Sequence, residues 1–232
     1  MAKKSKRYRK LLDLFDMSVS YNLKEGVQIL KKFYPAKFDE SVEVALRLGV
    51  DPKKPEQQVR NTLFLPHGSG KSLTIVVLTK KDRAQEAISG GADEVGDQEL
   101  IEKIKGGWTN FDLLIATPDM MREVGKLGKI LGPKGLMPTP KAGTVTTDVK
   151  RAVEDFKKGK IEFKVDKSSV INNSVGKLSF VHEHLVENIE SLLRAISKAK
   201  PPSSKGQFFR TLFISSTMGV GIKIDINSIA LH

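Results

Sequence analysis

Residues 73–78 read LTIVVL, a short unbroken run rich in β-branched side chains. A run of this length with no polar alternation is the pattern of a strand buried on both faces. Such a strand needs cover above and below, and the surrounding residues supply it. Helical patterns follow at 81–89 and at 97–105, where Asp97 suits the N-cap. Leu113–Ala116 is a second short apolar strand, and Pro118 with Asp119 opens another helix. Asp148 begins a further helix that ends at Gly159, a natural C-cap. Strands alternating with helices at this spacing predict a small α/β domain with a largely parallel sheet over residues 67–159.

The flanks obey a different period. Val42, Val44, Leu46 and Leu48 share one face of a strand, with Glu43 and Arg47 on the other. A second strand is expected at about 60–65. Ile161, Phe163 and Val165 alternate again, and Leu178 and Phe180 are read as starting a new strand after Gly176. An amphipathic helix is expected at 183–199, with Leu185, Ile189, Leu192, Leu193 and Ile196 on its stripe. Two last strands, 210–215 and 222–226, flank the turn Thr217–Gly221 as a hairpin. Near the N-terminus, Asn22 and Glu25 form a capping box for a helix at 23–33. The simplest architecture is two domains. Residues 1–66 and 160–232 fold together as one discontinuous α+β domain, and the α/β domain is inserted between them. Pro66–Gly68 and Gly159 are the crossing points.

Charge follows the same division. The chain has 39 Lys plus Arg against 27 Asp plus Glu, a net of +12. Residues 67–159 carry a net of only +2, whereas the two flanks together carry +10. A basic excess favours a polyanionic partner, nucleic acid or a membrane surface. Residues 3–10, KKSKRYRK, form a basic arm, disordered or weakly helical until it meets phosphate. No run approaches the length of a membrane span, and Asp13 and Asp16 interrupt any signal-like segment. With no cysteine the chain has no disulfide, thiolate metal site or thiol nucleophile, which fits a cytoplasmic protein.

Gly68-Ser69-Gly70-Lys71-Ser72 ends like a phosphate-binding P-loop. The full pattern needs an earlier glycine where this chain has Leu65, and it must run into a helix. Here Lys71 and Ser72 run into the strand LTIVVL, so a plain glycine-rich turn is expected. His182 and His184 have no carboxylate pair beside them to complete a metal site, and no nucleophile–base pair stands out. The chain is therefore expected to be no enzyme and to need no cofactor or metal. A nucleotide-using enzyme and a nonspecific nucleic-acid chaperone are the competing readings.

Gly125–Pro140, GKLGKILGPKGLMPTP, is the most specific stretch. It resembles the signature of the L-one family of ribosomal large-subunit stalk proteins. Phe38–Lys54, Leu65–Lys71, Asp166–Phe180 and Ser215–Asp225 resemble further segments of that family, in order and of the bacterial type. The resemblance implies a Rossmann-like inserted domain and a first domain that binds ribosomal RNA. It also implies a mobile stalk near the exit site, where deacylated tRNA leaves, and repression of the protein's own messenger RNA leader. A monomer outside the ribosome, with no membrane partner, is implied as well.

Carried over by position, the resemblance puts Lys37, Phe38, Glu40, Ser41, Lys164, Lys167, Gly176, Ser216, Thr217, Met218 and Gly219 on the RNA-binding surface. Thr217 offers a hydroxyl to a ribose or phosphate, and Phe38 and Met218 offer apolar faces. Where the family has proline after Thr-Met-Gly, this chain has Val220, which predicts a less rigid loop. Lys126, Lys129, Lys134 and Lys141 either meet RNA or decorate an ordered turn that caps the α/β sheet.

Overall fold

The computed structural model describes residues 6–33 and 36–229, apart from the Lys81 side chain. The start of the basic arm at residues 3–5, Pro35 and His232 lie outside the described residues. Chain contacts cluster into two compact units, residues 1–70 with 161–232 and residues 71–160.

In chain order the elements are α1 (Lys6–Leu12), α2 (Leu23–Lys31), β1 (Ser41–Leu48), β2 (Arg60–Phe64), β3 (Ile75–Leu78), α3 (Ala84–Ser89), β4 (Glu94–Gly96), α4 (Gln98–Lys105) and β5 (Leu113–Ala116). There follow α5 (Met121–Lys126), α6 (Gly128–Lys134), α7 (Val149–Lys157), β6 (Lys160–Lys164), β7 (Val170–Lys177), α8 (His182–Lys198), β8 (Phe209–Ser216) and β9 (Ile222–Ile224).

In the first unit an antiparallel sheet has the order β7-β1-β8-β9, and β2 pairs with β6. The two-residue period of β1 decides which side is covered. Val42, Val44, Leu46 and Leu48 are buried against the apolar stripes of α2 and α8, together with Leu212, Ile214 and Ile171. Cross-strand partners share a face. Glu43, Ala45 and Arg47 stand opposite Ser174, Asn172 and Val170 on one side, and Ser215, Phe213 and Thr211 on the other. Phe213 in turn pairs with Lys223. These residues form the uncovered face of the sheet. Helix α2 begins as expected, with the Asn22 N–H donating to Glu25 at 3.4 Å.

The second unit is a parallel sheet of order β4-β3-β5. All four residues of β3 are buried. Val76 and Leu78 face α4, α5 and α6, while Ile75 and Val77 face α3 and α7. The Asp148 carboxylate caps α7 by accepting from Arg151 N–H at 3.2 Å. Asp97 precedes α4, but its side chain makes no capping bond.

Two expectations are corrected. Leu178 and Phe180 do not start a strand; the strand is β7, and residues 178–181 turn into α8. Asn172, Asn173 and Ser174 have poor β propensity, yet Ile171 and Val175 are fully buried and the segment pairs along β1. The strand β4 was not foreseen, being three residues long. Gly125–Pro140 is largely helical rather than a turn. Val124, Leu127 and Leu131 anchor it in the core, and Gly135 ends α6 in a left-handed C-cap conformation. The arm is helical from Lys6, pinned by the buried Leu11.

Candidate nucleic-acid interface

The two ends of β1 gather different groups of candidate residues. At the start of the strand, Glu40 is 1% exposed, an unusual place for a carboxylate. It is fully occupied there. Its oxygens accept from Arg7 Nη2 and Ala36 N–H at 3.0 Å each and from Met218 N–H at 2.9 Å. Burial pushes the Glu40 carboxyl up, but bonds from Ser216, Met218 and Ala36 and the Arg7 charge outweigh it and hold it below the ordinary value. Glu40 therefore ties α1, the segment before β1 and the turn after β8 to one point.

Thr217 completes the tie. Its N–H donates to the Ser41 carbonyl at 3.1 Å, and its hydroxyl accepts from Ser41 N–H at 3.0 Å. The same hydroxyl donates back to the Ser41 carbonyl at 3.3 Å. Thr217 as a residue is exposed. Lys177 Nζ donates to the Asp39 carbonyl at 3.3 Å and to Ser41 Oγ at 3.2 Å. A Cβ on Gly219 would lie 2.4 Å from Ser216 Oγ, and one on Gly176 would lie 2.9 Å from Leu185. Both glycines serve close packing inside the protein. Val220 is buried in the main core, so the position that differs from the family is anchored by apolar packing.

The eleven candidates thus divide. Glu40, Ser41, Gly176 and Ser216 are buried, and Gly219 packs inward. Lys37, Phe38, Thr217 and Met218 are exposed, with Phe38 at 53% and Met218 at 55%. Both leave large apolar surface in water, Phe38 next to Lys37 in sequence.

Lys164 and Lys167 lie elsewhere. Lys167 sits in the turn that joins β6 to β7, at the far end of β1. There Leu48 N–H donates to the Ser169 carbonyl at 2.8 Å and Ser169 Oγ donates to the Val50 carbonyl at 2.9 Å. Asp166 holds the turn by accepting from Ser168 and Val170 N–H at 2.7 and 2.9 Å. Eight residues of strand span about 24 Å between first and last Cα. The two groups are joined by the uncovered sheet face, with Glu43, Arg47, Asn172, Phe213, Ser215 and Lys223 along it. The sequence named Arg47 only as the polar side of a strand. An exposed aromatic in register with cations was the signal that could have marked the face.

The glycine-rich crossing segment is held by a residue that periodicity hid. Asn188 lies on the apolar stripe of α8 and is 0% exposed. Its oxygen accepts from His67 N–H at 3.1 Å, and its amide donates to the Gly68 and Val175 carbonyls at 3.0 and 2.7 Å. Gly68 and Gly70 are both left-handed, and a short irregular segment leads from them into β3. His67 stacks on His184 at 3.8 Å and pairs with Glu187 at 2.6 Å, while His182 donates to the Lys24 carbonyl at 2.9 Å. Among the described residues no cluster of His, Cys, Asp and Glu is placed to hold a metal ion. Nor is any helix long and apolar enough to cross a membrane.

Residues 30–220 match the Ribosomal protein L1p/L10e family. The chain is 57% identical to the large ribosomal subunit protein uL1 of Protochlamydia amoebophila, over 97% of this chain and 96% of that one. It is 55% identical to the uL1 protein of Chlamydia pneumoniae and 54% identical to that of Chlamydia trachomatis serovar D, each over 97% of both chains. With a family match over residues 30–220 and relatives more than half identical over nearly its whole length, this chain belongs to the Ribosomal protein L1p/L10e family.

Proposed function

We propose that the chain is a structural constituent of the large ribosomal subunit that binds ribosomal RNA through a discontinuous domain formed by both chain ends. The inserted α/β unit is a second domain. The observation that carries this reading is the uncovered sheet face, bounded by Phe38, Thr217 and Met218 at one end and by Lys164 and Lys167 at the other. RNA lying along this face would meet phosphate-binding cations at Arg47 and Lys223. Phe213 offers a platform for a base, and Asn172 and Ser215 offer hydrogen bonds to base edges or ribose hydroxyls. In the ribosome this complex would form the mobile stalk beside the exit site and assist release of deacylated tRNA. The same surface, meeting a similar fold in the protein's own messenger RNA leader, would repress translation.

Crosslinking in cells followed by sequencing of the bound RNA tests the reading. One large-subunit ribosomal RNA helix and one messenger leader are expected. A spread over unrelated transcripts would replace specific recognition with charge-driven binding. Recovery of the ribosomal helix without any leader would remove the regulatory role alone.

A further inference from the structure

The second unit holds a cleft of about 560 Å³ at the carboxyl ends of β3 and β4, between the starts of α3 and α4. Crevices at the carboxyl ends of strands are where open α/β sheets hold small ligands, and this volume is the size of one. The RNA-binding reading of the first unit leaves the cleft without a role.

The first sign of an occupant is Thr79, which lines the cleft. It is 2% exposed, and its hydroxyl has no hydrogen-bond partner among the described residues. Its N–H donates to the Gly96 carbonyl at 3.1 Å, which continues the β3–β4 ladder by one residue. Side chains alternate along a strand, so Thr79 falls on the side of Ile75 and Val77, toward α3. Ala84 opens α3 on that side and lines the same cleft. Buried hydroxyls ordinarily have a partner, and here the cleft can supply one.

The second sign is the start of α4. Asp97 precedes the helix but spends no bond on capping it, so its carboxylate and the first amides of α4 lie side by side in the lining. Glu99 adds another carboxylate in the first turn. No Lys or Arg is among the described residues that line the cleft. Residues 82–102 hold seven acidic side chains and one basic, Arg83, which donates to the Thr147 carbonyl at 2.8 Å. An anion in the cleft would face Asp97 and Glu99. A cation would face the positive end of α4 and leave its amides unmet. A neutral hydroxyl satisfies both, since it accepts from an amide and donates to a carboxylate.

We propose that the cleft at the ends of β3 and β4 is a binding site for the vicinal hydroxyls of a neutral sugar, carried by a nucleoside or a free monosaccharide. Asp97 accepts from the hydroxyls, the first amides of α4 donate to them, and the Thr79 hydroxyl completes the set. Ala84 and Val95 give the sugar ring an apolar wall. A nucleic-acid chain does not fit, because its phosphates would meet Asp97 and Glu99, and nucleotides are disfavoured for the same reason. The proposal does not depend on the sheet face of the first unit.

The test follows the amide chemical shifts of the full chain while adenosine, 2′-deoxyadenosine, D-ribose and adenosine monophosphate are titrated separately. Adenosine is expected to shift Gly96, Gln98 and Glu99 saturably at millimolar concentration. The missing hydroxyl of 2′-deoxyadenosine should weaken binding about tenfold, and the phosphate of the monophosphate should weaken it as well. D-Ribose that matches adenosine assigns the site to the sugar alone; weaker but saturable binding of D-ribose assigns it to a nucleoside. Thr79→Val keeps the volume and removes the unpaired hydroxyl. It is expected to raise the Tm while weakening adenosine about tenfold, a pairing that a purely structural threonine would not give. Asp97→Asn, which keeps a side chain able to cap the helix, should weaken adenosine by a similar factor. The proposal is overturned by the absence of a saturable shift with adenosine and D-ribose, by equal binding of 2′-deoxyadenosine, or by affinity unchanged in Thr79→Val and Asp97→Asn.

Discussion

The sheet of the first unit is built from long antiparallel strands and is covered on one face, whereas the sheet of the second has parallel strands of three or four residues and is covered on both. A half-covered sheet can present its own side chains in register, at spacings fixed by main-chain hydrogen bonds. A fully covered sheet leaves only the outer surfaces of its helices and the crevice at its strand ends. The first arrangement suits recognition of a particular RNA shape; the second suits a small ligand. The first unit also spends buried polar groups on its loops. Glu40, Ser41, Ser216 and Asn188 are all buried there and hydrogen-bonded to segments far away in sequence. In the second unit the buried polar side chains are threonines: Thr79, Thr117 and Thr144.

The largest expected effect follows from that contrast. Glu40→Ala leaves the Ala36 and Met218 N–H groups and Arg7 without their acceptor, and should weaken binding to the cognate ribosomal RNA by on the order of 3 kcal/mol. The second unit should keep its hydrogen-exchange protection. Because the folded carboxyl is held below its ordinary value, the clamp contributes stability above that value and loses it as pH falls through the lowered one. Amide protection of Ala36 and Met218 should therefore be flat from pH 8 to 5 and collapse in stronger acid. Glu40→Gln should abolish that acid transition. A transition that persists in Glu40→Gln would assign it to another group.

Next in size is Thr217→Val, which removes a hydroxyl that bonds both polar groups of the Ser41 backbone. A loss of roughly 1–3 kcal/mol is expected for cognate RNA, with little change for scrambled RNA. Equal losses on both would mean that the turn does not read the site. Phe213→Ala should cost about 1 kcal/mol, the lower end of what base stacking on an aromatic contributes. It should do so without changing the salt slope, since no phosphate contact is lost. An altered slope with unchanged affinity at low salt would argue that RNA does not lie across the sheet.

How much of this was legible in the sequence depended on range. The period of Val42–Leu48 and the run at Ile75–Leu78 are local signals, and both strands formed where expected. The strand β7 was not legible because Asn172–Ser174 has no preference for it; pairing with β1 and the burial of Ile171 and Val175 impose the conformation. Gly132 and Pro133 argued for a turn, yet they fall in the last turn of a helix whose anchoring leucines lie earlier. At the candidate site, resemblance marked Glu40 and Thr217 but gave no role for the carboxylate. Its partners Arg7 and Met218 are 33 and 178 residues away, a juxtaposition that no local pattern encodes. Asn188 was hidden because helical spacing places it among leucines and isoleucines, where an asparagine looks like an interruption.

The smallest expected effect is the one that tests the division of labour itself. If the sheet face alone reads the cognate ribosomal RNA, residues 1–70 joined to 161–232 by a short glycine linker should bind it within about 0.5 kcal/mol of the full chain, the range of substitutions that touch no shared feature. The crossing should tolerate the cut because Asn188 holds His67 and Gly68 from within the first unit. Lys71→Ala in the full chain should be equally quiet, and neither ATP nor GTP with Mg²⁺ should show saturable binding by calorimetry. The glycine segment before Lys71 leads into the strand β3 rather than a helix N-terminus, and so presents no helical ring of amides to a phosphate. Specific binding of the ribosomal RNA by residues 71–160 alone, or its loss from the joined flanks when circular dichroism shows them folded, would reverse the comparison and move recognition to the parallel unit.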